Sequence, residues 1–372
     1  MTLYAQAQSA QTVSGSHQNA FYVRFRNKFG MTNYKVVIMH NYKFILNGTQ
    51  DITDHILQFN YSDNLDDFAS SFRFDYVDSE GSGDLGLTSL IDGKQHLNKI
   101  QINKSGQRVP FYVGYITDSE HTNDKNKFTY SGFDVGFYLN KNEIIKQFKN
   151  SNIGDAIEEL CKEYQINLET KPVFKQSVSK FYKDEIFSDV VKELLKFERD
   201  KGGRDDFYVD CKSGNFAIRE YVRNNQLGSV IANNISVDSF QTINNVNVKH
   251  SIQDLKNRVI YTDNNEKSII KVKKENPQSI ATYGLLTDVE KVDTKKENNL
   301  GKLAQTKLDE LNRVKDTISL SMLGDEQMKK GTIIPLDIPQ YSLTGTYLIM
   351  SASHTIDAQN ENVDISIRER RI

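Results

Sequence analysis

Hydrophobic side chains change their spacing twice along this 372-residue chain. Near the start, Phe72-Arg73-Phe74-Asp75-Tyr76-Val77 alternates with period two, the mark of a half-buried strand. The runs Val109 to Thr117 and Lys127 to Phe133 read the same way. Between them lie the clusters Asp78 to Asp84 and His121 to Asn126, which favour turns because Gly supplies positive φ and Asn or Asp bond their own backbone. Short strands with regular turn signals predict a closed or sandwiched antiparallel sheet. The period then shifts to 3.6. Ile153, Ala156, Ile157, Leu160, Cys161 and Tyr164 fall at i, i+3, i+4, i+7, i+8 and i+11, one face of an amphipathic helix. Asn152 is placed to cap it, with Asp155 near its positive end. Phe187, Val190, Val191, Leu194 and Leu195 stripe a second helix that Gly202-Gly203 should stop. Phe207 to Cys211 and Asn215 to Tyr221 flank Lys212-Ser213-Gly214 as a hairpin. From about Val230 the strand pattern returns, in Val246 to Val248, Arg258 to Tyr261, Ile269 to Val272 and Thr317 to Leu323. Thr346 to His354 and Asn362 to Arg368 should close as a hairpin. One helix interrupts, striped by Leu300, Leu303, Ala304, Leu308, Leu311 and Val314. Two β regions of like kind thus enclose a small α/β unit.

Composition narrows the class. Lys and Arg number 47 and Asp and Glu 49, for a net charge of -2. That balance removes the electrostatic case for a dedicated nucleic-acid binder, which needs a basic excess. Five Pro and 21 Gly exclude collagen-like and low-complexity chains. The two cysteines, Cys161 and Cys211, build neither a disulfide framework nor a four-Cys zinc site, and read as buried thiols. No apolar run approaches the ~18 residues of a membrane helix. Residues 1–20 have neither a basic nor an apolar segment of the secretory type, so the expectation is a soluble protein made in a reducing cytosol.

A search for chemistry returns little. There is no Gly-x-Ser-x-Gly elbow and no His-Glu-x-x-His. The seven His residues (His17, His40, His55, His96, His121, His250 and His354) form no i,i+2 or i,i+4 pair. Asp78-x-Glu80-x-Ser82-Gly83 imitates a calcium loop, but Ser89 stands where the bidentate Glu should be. Gly81 to Gly86 has the spacing Gly-x-Gly-x-x-Gly without a following helix in a βαβ unit. Asp66-Asp67, Glu158-Glu159 and Asp205-Asp206 are adjacent carboxylates, and adjacent side chains diverge. Lys271, Lys273 and Lys274, Lys295 and Lys296, and Arg368, Arg370 and Arg371 read as a polar strand edge or an interface rim. The sequence therefore predicts no catalytic residue, no cofactor site and no metal site.

Four patterns recur in a telling order. They are Asn47-Gly48-Thr49-Gln50-Asp51-Ile52-Thr53-Asp54 before Phe72 to Tyr76; Ile153-Gly154-Asp155-Ala156-Ile157-Glu158-Glu159-Leu160-Cys161 with Tyr164-Gln165-Ile166; Asn257-Arg258-Val259, then Ser279 to Gly284 and the Leu300 to Val314 helix; and Gly345-Thr346-Tyr347-Leu348-Ile349-Met350-Ser351-Ala352-Ser353-His354. Together they cover nearly the whole chain. Their order resembles the baseplate hub proteins of contractile phage tails and phage-tail-like bacteriocins, of the Gram-positive prophage kind. The polar extension before Phe21 departs from that pattern.

The resemblance implies an α+β, mainly β fold: two tail-tube-like antiparallel β-barrel domains with a small α/β domain between them. Residues 1–145 would form the first barrel with its extension, 146–226 the α/β domain, and 227–372 the second barrel with one helix. It implies a structural protein rather than an enzyme. Three copies would make a ring of six similar barrels, joining the six-fold tail tube above to the three-fold central spike below, with tape measure and wedge proteins as further partners. No membrane, no nucleic-acid specificity and no cofactor are implied. The chain would be made in the bacterial cytoplasm and assembled into a phage tail or tail-like bacteriocin. The aromatic strands Phe72 to Val77 and Phe111 to Tyr115 would either fill a barrel or line an interface. Two other readings stay open: a tail-associated cell-wall hydrolase, motivated by the many carboxylates, and a glycan-binding adhesin.

Overall fold

The computed structural model describes residues 20–26, 32–38, 42–77, 83–104, 106–121, 127–202, 207–223, 243–263, 270–292, 300–324, 327–357 and 361–369. These fall in two compact units, Met1–Val246 with Leu320–Ile372, and Asn247–Ser319.

In the first unit, β1 (Ala20–Arg26) and β2 (Thr32–Ile38) pair as an antiparallel ribbon. β3 (Tyr42–Leu46) and β4 (Gln50–Asp51) are joined through Asn47 and Gly48, both at positive φ (53° and 78°), where Asn and Gly are the least strained residues. β5 (Ile56–Asn64) and β6 (Ser71–Val77) follow, then a short hairpin of β7 (Thr88–Ile91) and β8 (Lys94–Leu97). β9 (Lys99–Lys104), β10 (Tyr112–His121) and β11 (Lys127–Phe133) complete the first β region. Period-two alternation sends Phe59, Tyr61, Phe72, Phe74, Tyr76, Tyr112 and Tyr130 into one aromatic core. Buried aromatics of this size contribute about 1.5–3 kcal/mol each. The aromatic side chains of Phe72, Phe74 and Tyr76 are therefore interior filling. Gly132 lies mid-strand because a Cβ there would run into the Tyr115 carbonyl and the Phe72 ring.

The period change is realised as a separate core. α1 (Gly136–Lys141), β12 (Glu143–Asn152), α2 (Ile153–Glu163), β13 (Leu168–Thr170), β14 (Ser177–Ile186), α3 (Phe187–Gly202), β15 (Phe207–Asp210) and β16 (Phe216–Glu220) run in that order. Asn152 caps α2 as expected, its Oδ1 accepting the Gly154 N–H at 2.9 Å. The predicted stripes of α2 and α3 pack together with Phe148, Tyr182, Phe207 and Phe216. β15 and β16 form the expected antiparallel hairpin.

After β17 (Val222–Arg223), β18 (Ile243–Ser251) leads into the second unit, which holds β19 (Arg258–Asp263), β20 (Ile270–Glu275), α4 (Pro277–Tyr283), β21 (Thr287–Val292) and α5 (Leu300–Leu311). Its sheet is mixed, in the order β20-β19-β21, with β19 parallel to β21. Ala304 and Leu308 of α5 bury Val259 and Tyr261. The chain then returns through β22 (Lys315–Leu323) to β23 (Thr332–Ile338), β24 (Leu343–Asp357) and β25 (Glu361–Glu369).

The α+β, mainly β class holds. The arrangement of the two β regions differs from two separate barrels. Their strands share one thirteen-stranded sheet, β18-β22-β25-β24-β5-β6-β11-β10-β9-β3-β4 with β17 and β23 beside it, open at both ends among the described residues. The reason is β24. It is fifteen residues long, pairs with β25 along most of its length, and offers its other edge first to β23 and then to β5. One strand thus joins the beginning of the chain to its end. The last β region also carries a second helix and a three-stranded sheet of its own, where one helix was expected.

Candidate functional site

The inward alternation of three strands is broken by polar residues, and they meet. On β5 the inward positions read Phe59, Tyr61, Asp63; on β24 they read Ala352, His354, Ile356; β25 begins with Glu361 before Val363 and Ile365. The β5–β24 register sets Tyr61 opposite His354 and Asp63 opposite Ala352. The Tyr61 and His354 rings stack with centroids 4.3 Å apart and planes 5° from parallel.

His354 is bonded at both nitrogens. Nε2 lies 2.8 Å from the Met328 carbonyl, which only accepts, so Nε2 carries a proton. Nδ1 lies 2.6 Å from Glu361 Oε1. The other Glu361 oxygen accepts the Tyr42 hydroxyl, 319 residues away in sequence. Beside this group lies a buried ion pair between Asp63 and Lys212, the latter contributed by the β15–β16 turn. The Lys212 ammonium also stands 5.7 Å from the Tyr61 ring. Lys330 completes the cluster. Its Nζ donates to the Asn64 and Asp67 carbonyls, each at 3.1 Å, and its N–H to Asp63 at 3.4 Å.

Burial alone would raise the Asp63 carboxyl, but Lys212 and Lys330 outweigh it and hold it below its ordinary value. Burial would likewise lower Lys212, and Asp63 and Asp210 reverse that. Asp210 is itself tied to Arg219 at 2.8 Å, and Arg219 to Glu169 at 2.9 Å. Asp134, close by, has no ion-pair partner among the described residues. Its Oδ1 accepts the Gly136 N–H at 2.9 Å, and burial pushes its acid up to about 7.

This junction was missed in sequence because none of its members forms a spaced motif. The available signal was the charge at inward positions of alternating strands, which marks a buried polar group in need of a partner. Chemically, these groups are almost fully enclosed, so they bind one another rather than a polymer in solvent. The result is a polar bolt through the first β region, the α/β core and the last two strands.

Apart from His354, the residues singled out in sequence do not assemble into a site. Cys161 and Cys211 are free and buried; burial pushes the first up to about 12 and the second well up, so neither is a ready thiolate. Glu158 is held down to about 2 by Lys162 and Lys171, and Glu159 pairs with Lys146 at 2.8 Å. Asp66 and Asp67 lie in the exposed turn after β5, the Asp66 N–H bonded to Asn64 Oδ1. Gly83 to Gly86 lead into strand β7, not a helix. His250 pairs with Asp316 at 2.7 Å in the second unit. No group of three or more potential metal ligands exists among the described residues. No described helix is long and apolar enough to cross a membrane. His17, His40, Asp78, Glu80, Gly81, Ser82, Asp205, Asp206, Lys295, Lys296, Arg370 and Arg371 lie outside the described residues.

The phage-like element PBSX protein XkdQ of Bacillus subtilis (strain 168) is 21% identical over 255 residues, 67% of this chain and 75% of that protein. Among solved structures, the 43 kDa tail protein of prophage MuSo2 from Shewanella oneidensis superposes with a TM-score of 0.63 at 13% identity, over 88% of this chain and 98% of its own. The E. coli c3393 protein is described as a component of the type VI secretion system with structural similarity to the T4 tail proteins gp27 and gp5. It gives a TM-score of 0.53 at 9% identity over 88% of this chain and 77% of its own. These likenesses establish a shared fold. The YQBQ-like family model matches residues 59–368, from the middle of β5 to the end of β25, and the chain belongs to the YQBQ-like family.

Proposed function

We propose that this chain is the structural hub of a contractile-tail baseplate, a trimeric adaptor between the six-fold tail tube and the three-fold central spike. The observation that carries the reading is the likeness of fold to a prophage tail protein over 88% of the chain. The polar junction supports it. Groups that could have served catalysis are spent on joining the chain's beginning, middle and end. In this reading, residues 1–145 and 227–372 supply the two tube-like β regions, joined here through one sheet, and 146–226 the α/β domain between them. Two similar faces per chain, three chains per ring, would present six near-equivalent surfaces to the tube. Tape measure and wedge proteins are the further partners. The chain acts without a cofactor, makes no sequence-specific contact with nucleic acid, and is assembled from the bacterial cytoplasm into a phage tail or tail-like bacteriocin.

The hydrolase and adhesin readings have less behind them. The first needs two exposed carboxylates facing a cleft at ~5–10 Å, and Glu158 and Glu159 are held by lysines. The second needs an exposed aromatic platform, and Phe72, Phe74 and Tyr76 are interior.

Light scattering on the purified chain, alone and with its spike partner, tests the proposal. Three times the 42.6 kDa chain mass is expected. A single-chain mass under both conditions, together with release of fragments from peptidoglycan, would replace the hub with the hydrolase.

A further inference from the structure

Two exposed apolar patches on the first unit are left over once the junction is accounted for. The first is the β7–β8 hairpin. Its base is braced by Asn98, fully buried. Asn98 Nδ2 donates to the Leu85 and Gly86 carbonyls at 2.8 and 2.9 Å, and its Oδ1 accepts Asn47 Nδ2 at 2.9 Å and the Ser89 hydroxyl. The Leu85 N–H is held by the Tyr130 hydroxyl at 2.8 Å. Beyond that base, everything from Leu90 to Leu97 is exposed, with Leu90 at 78%. The turn uses Asp92 and Gly93 at φ 51° and 74°. A two-stranded hairpin alone is marginal in water. A fixed base under an apolar tip describes an arm that is positioned to be covered.

The second patch is the outer face of the β12–β14 ribbon. Its inner face, with Ile144, Phe148 and Tyr182, is buried in the α/β core. The register brings Glu143 opposite Ile186, Ile145 opposite Lys183 and Gln147 opposite Phe181 on the outer face. Ile145 is 61% and Phe181 55% exposed. Both edges of this ribbon are unpaired among the described residues.

We propose that the β7–β8 arm of one copy docks on the β12–β14 face of a second copy of this chain. The charges match as well as the apolar groups. Asp92 sits at the arm's tip and Lys183 stands across from Ile145; neither has an ion-pair partner among the described residues. With Leu90 seated between Ile145 and Phe181, Asp92 at the turn meets Lys183, while Ile91 and its cross-strand partner Lys94 lie on the arm's other face. Arm and face are different surfaces of one chain, so the contact is heterologous, the kind that closes identical subunits into a ring. The inference rests on the trimeric reading above and supplies its interface.

Mixing Leu90→Cys chains with Phe181→Cys chains under mild oxidation tests the contact directly, since the native Cys161 and Cys211 are buried. A disulfide joining one chain of each type is expected, with little product from either variant alone. Asp92→Lys should weaken association at least about tenfold, and combining it with Lys183→Asp should restore it. Far-UV dichroism on each variant checks that folding is unchanged. A trimer that neither cross-links nor responds to Asp92→Lys overturns the docking and leaves the hub standing. A wild-type chain that stays single with and without the spike overturns both.

Discussion

Replacing Lys212 with Met should be the most damaging single change that leaves the apolar cores intact. The Asp63 side chain is fully enclosed and that of Lys212 nearly so, at 7%. Breaking a buried ion pair from one side costs about 3–5 kcal/mol, because the remaining charge stays desolvated. Lys330 lies in the same field and keeps its N–H on Asp63, which puts the expectation at the lower end, about 3 kcal/mol. With a urea slope on the order of 3 kcal/mol/M, the midpoint falls by about 1 M. Far-UV dichroism should follow the transition, since the chain has no Trp. The Asp63→Asn, Lys212→Met double variant removes both charges and should recover most of the loss. pH gives an independent reading. In the wild type the Asp63 carboxyl is lowered on folding, so its stabilisation is present above its ordinary value of 3.8 and is lost as pH falls through the lower folded value. In the single variant that carboxyl has lost its main cation, so the deficit should shrink as acid neutralises it. A midpoint within about 0.3 M of wild type, or a double variant as weak as the single, would refute the reasoning.

Other consequences are measurable in the same way. Asp134 binds its proton more tightly folded than unfolded, so wild-type stability falls as pH rises from its ordinary 3.8 through about 7. Asp134→Asn should remove that slope, and the gap between the two proteins should widen from pH 5 to 8 toward a ceiling of about 4 kcal/mol; parallel pH curves would contradict it. Asn98→Ala strips the brace from the β7–β8 arm, so trypsin should cut at Lys94 faster while the global urea midpoint moves less than about 1.5 kcal/mol in equivalent terms. Cys161 and Cys211 should resist a thiol reagent in the native chain and both react in urea; rapid native labelling of either would mean the α/β core opens locally.

The sequence reported local periods well and long-range pairing poorly. Helix α2, its Asn152 cap, helix α3 and the β15–β16 hairpin follow from spacing because each is stabilised within a short stretch of chain. The strand Lys127 to Phe133 has the predicted ends for the same reason. What spacing cannot encode is which strand lies beside which. The β5–β24 pairing joins residues nearly 300 positions apart, and it turns two expected barrels into one sheet. The second unit was hidden likewise: a parallel β19–β21 pair needs a crossover, and the short α4 that supplies it buries no side chain and so leaves no stripe. The junction shows the same limit at the level of single residues. Asp63 and His354 are visible as polar intruders on apolar faces, but their partners are chosen by register.

That register explains what a buried polar cluster does for a protein meant to hold a fixed shape. Slipping β24 by one residue against β5 would turn His354, Ala352 and Ile356 to the opposite face. An apolar seam could repack after such a slip, with aromatic and aliphatic groups trading places at modest cost. The polar seam cannot. His354 would leave both Met328 and Glu361, and Glu361 would lose its imidazole partner while still enclosed. Each stranded group costs about 1–3 kcal/mol, and more when charged. The His354–Glu361–Tyr42 chain therefore selects one alignment of the chain's end against its beginning, and Asp63–Lys212 selects one seat for the α/β core. In the proposed ring, a subunit that presents the same surfaces in every copy needs that uniqueness more than it needs the last increment of stability, and the buried charges provide it.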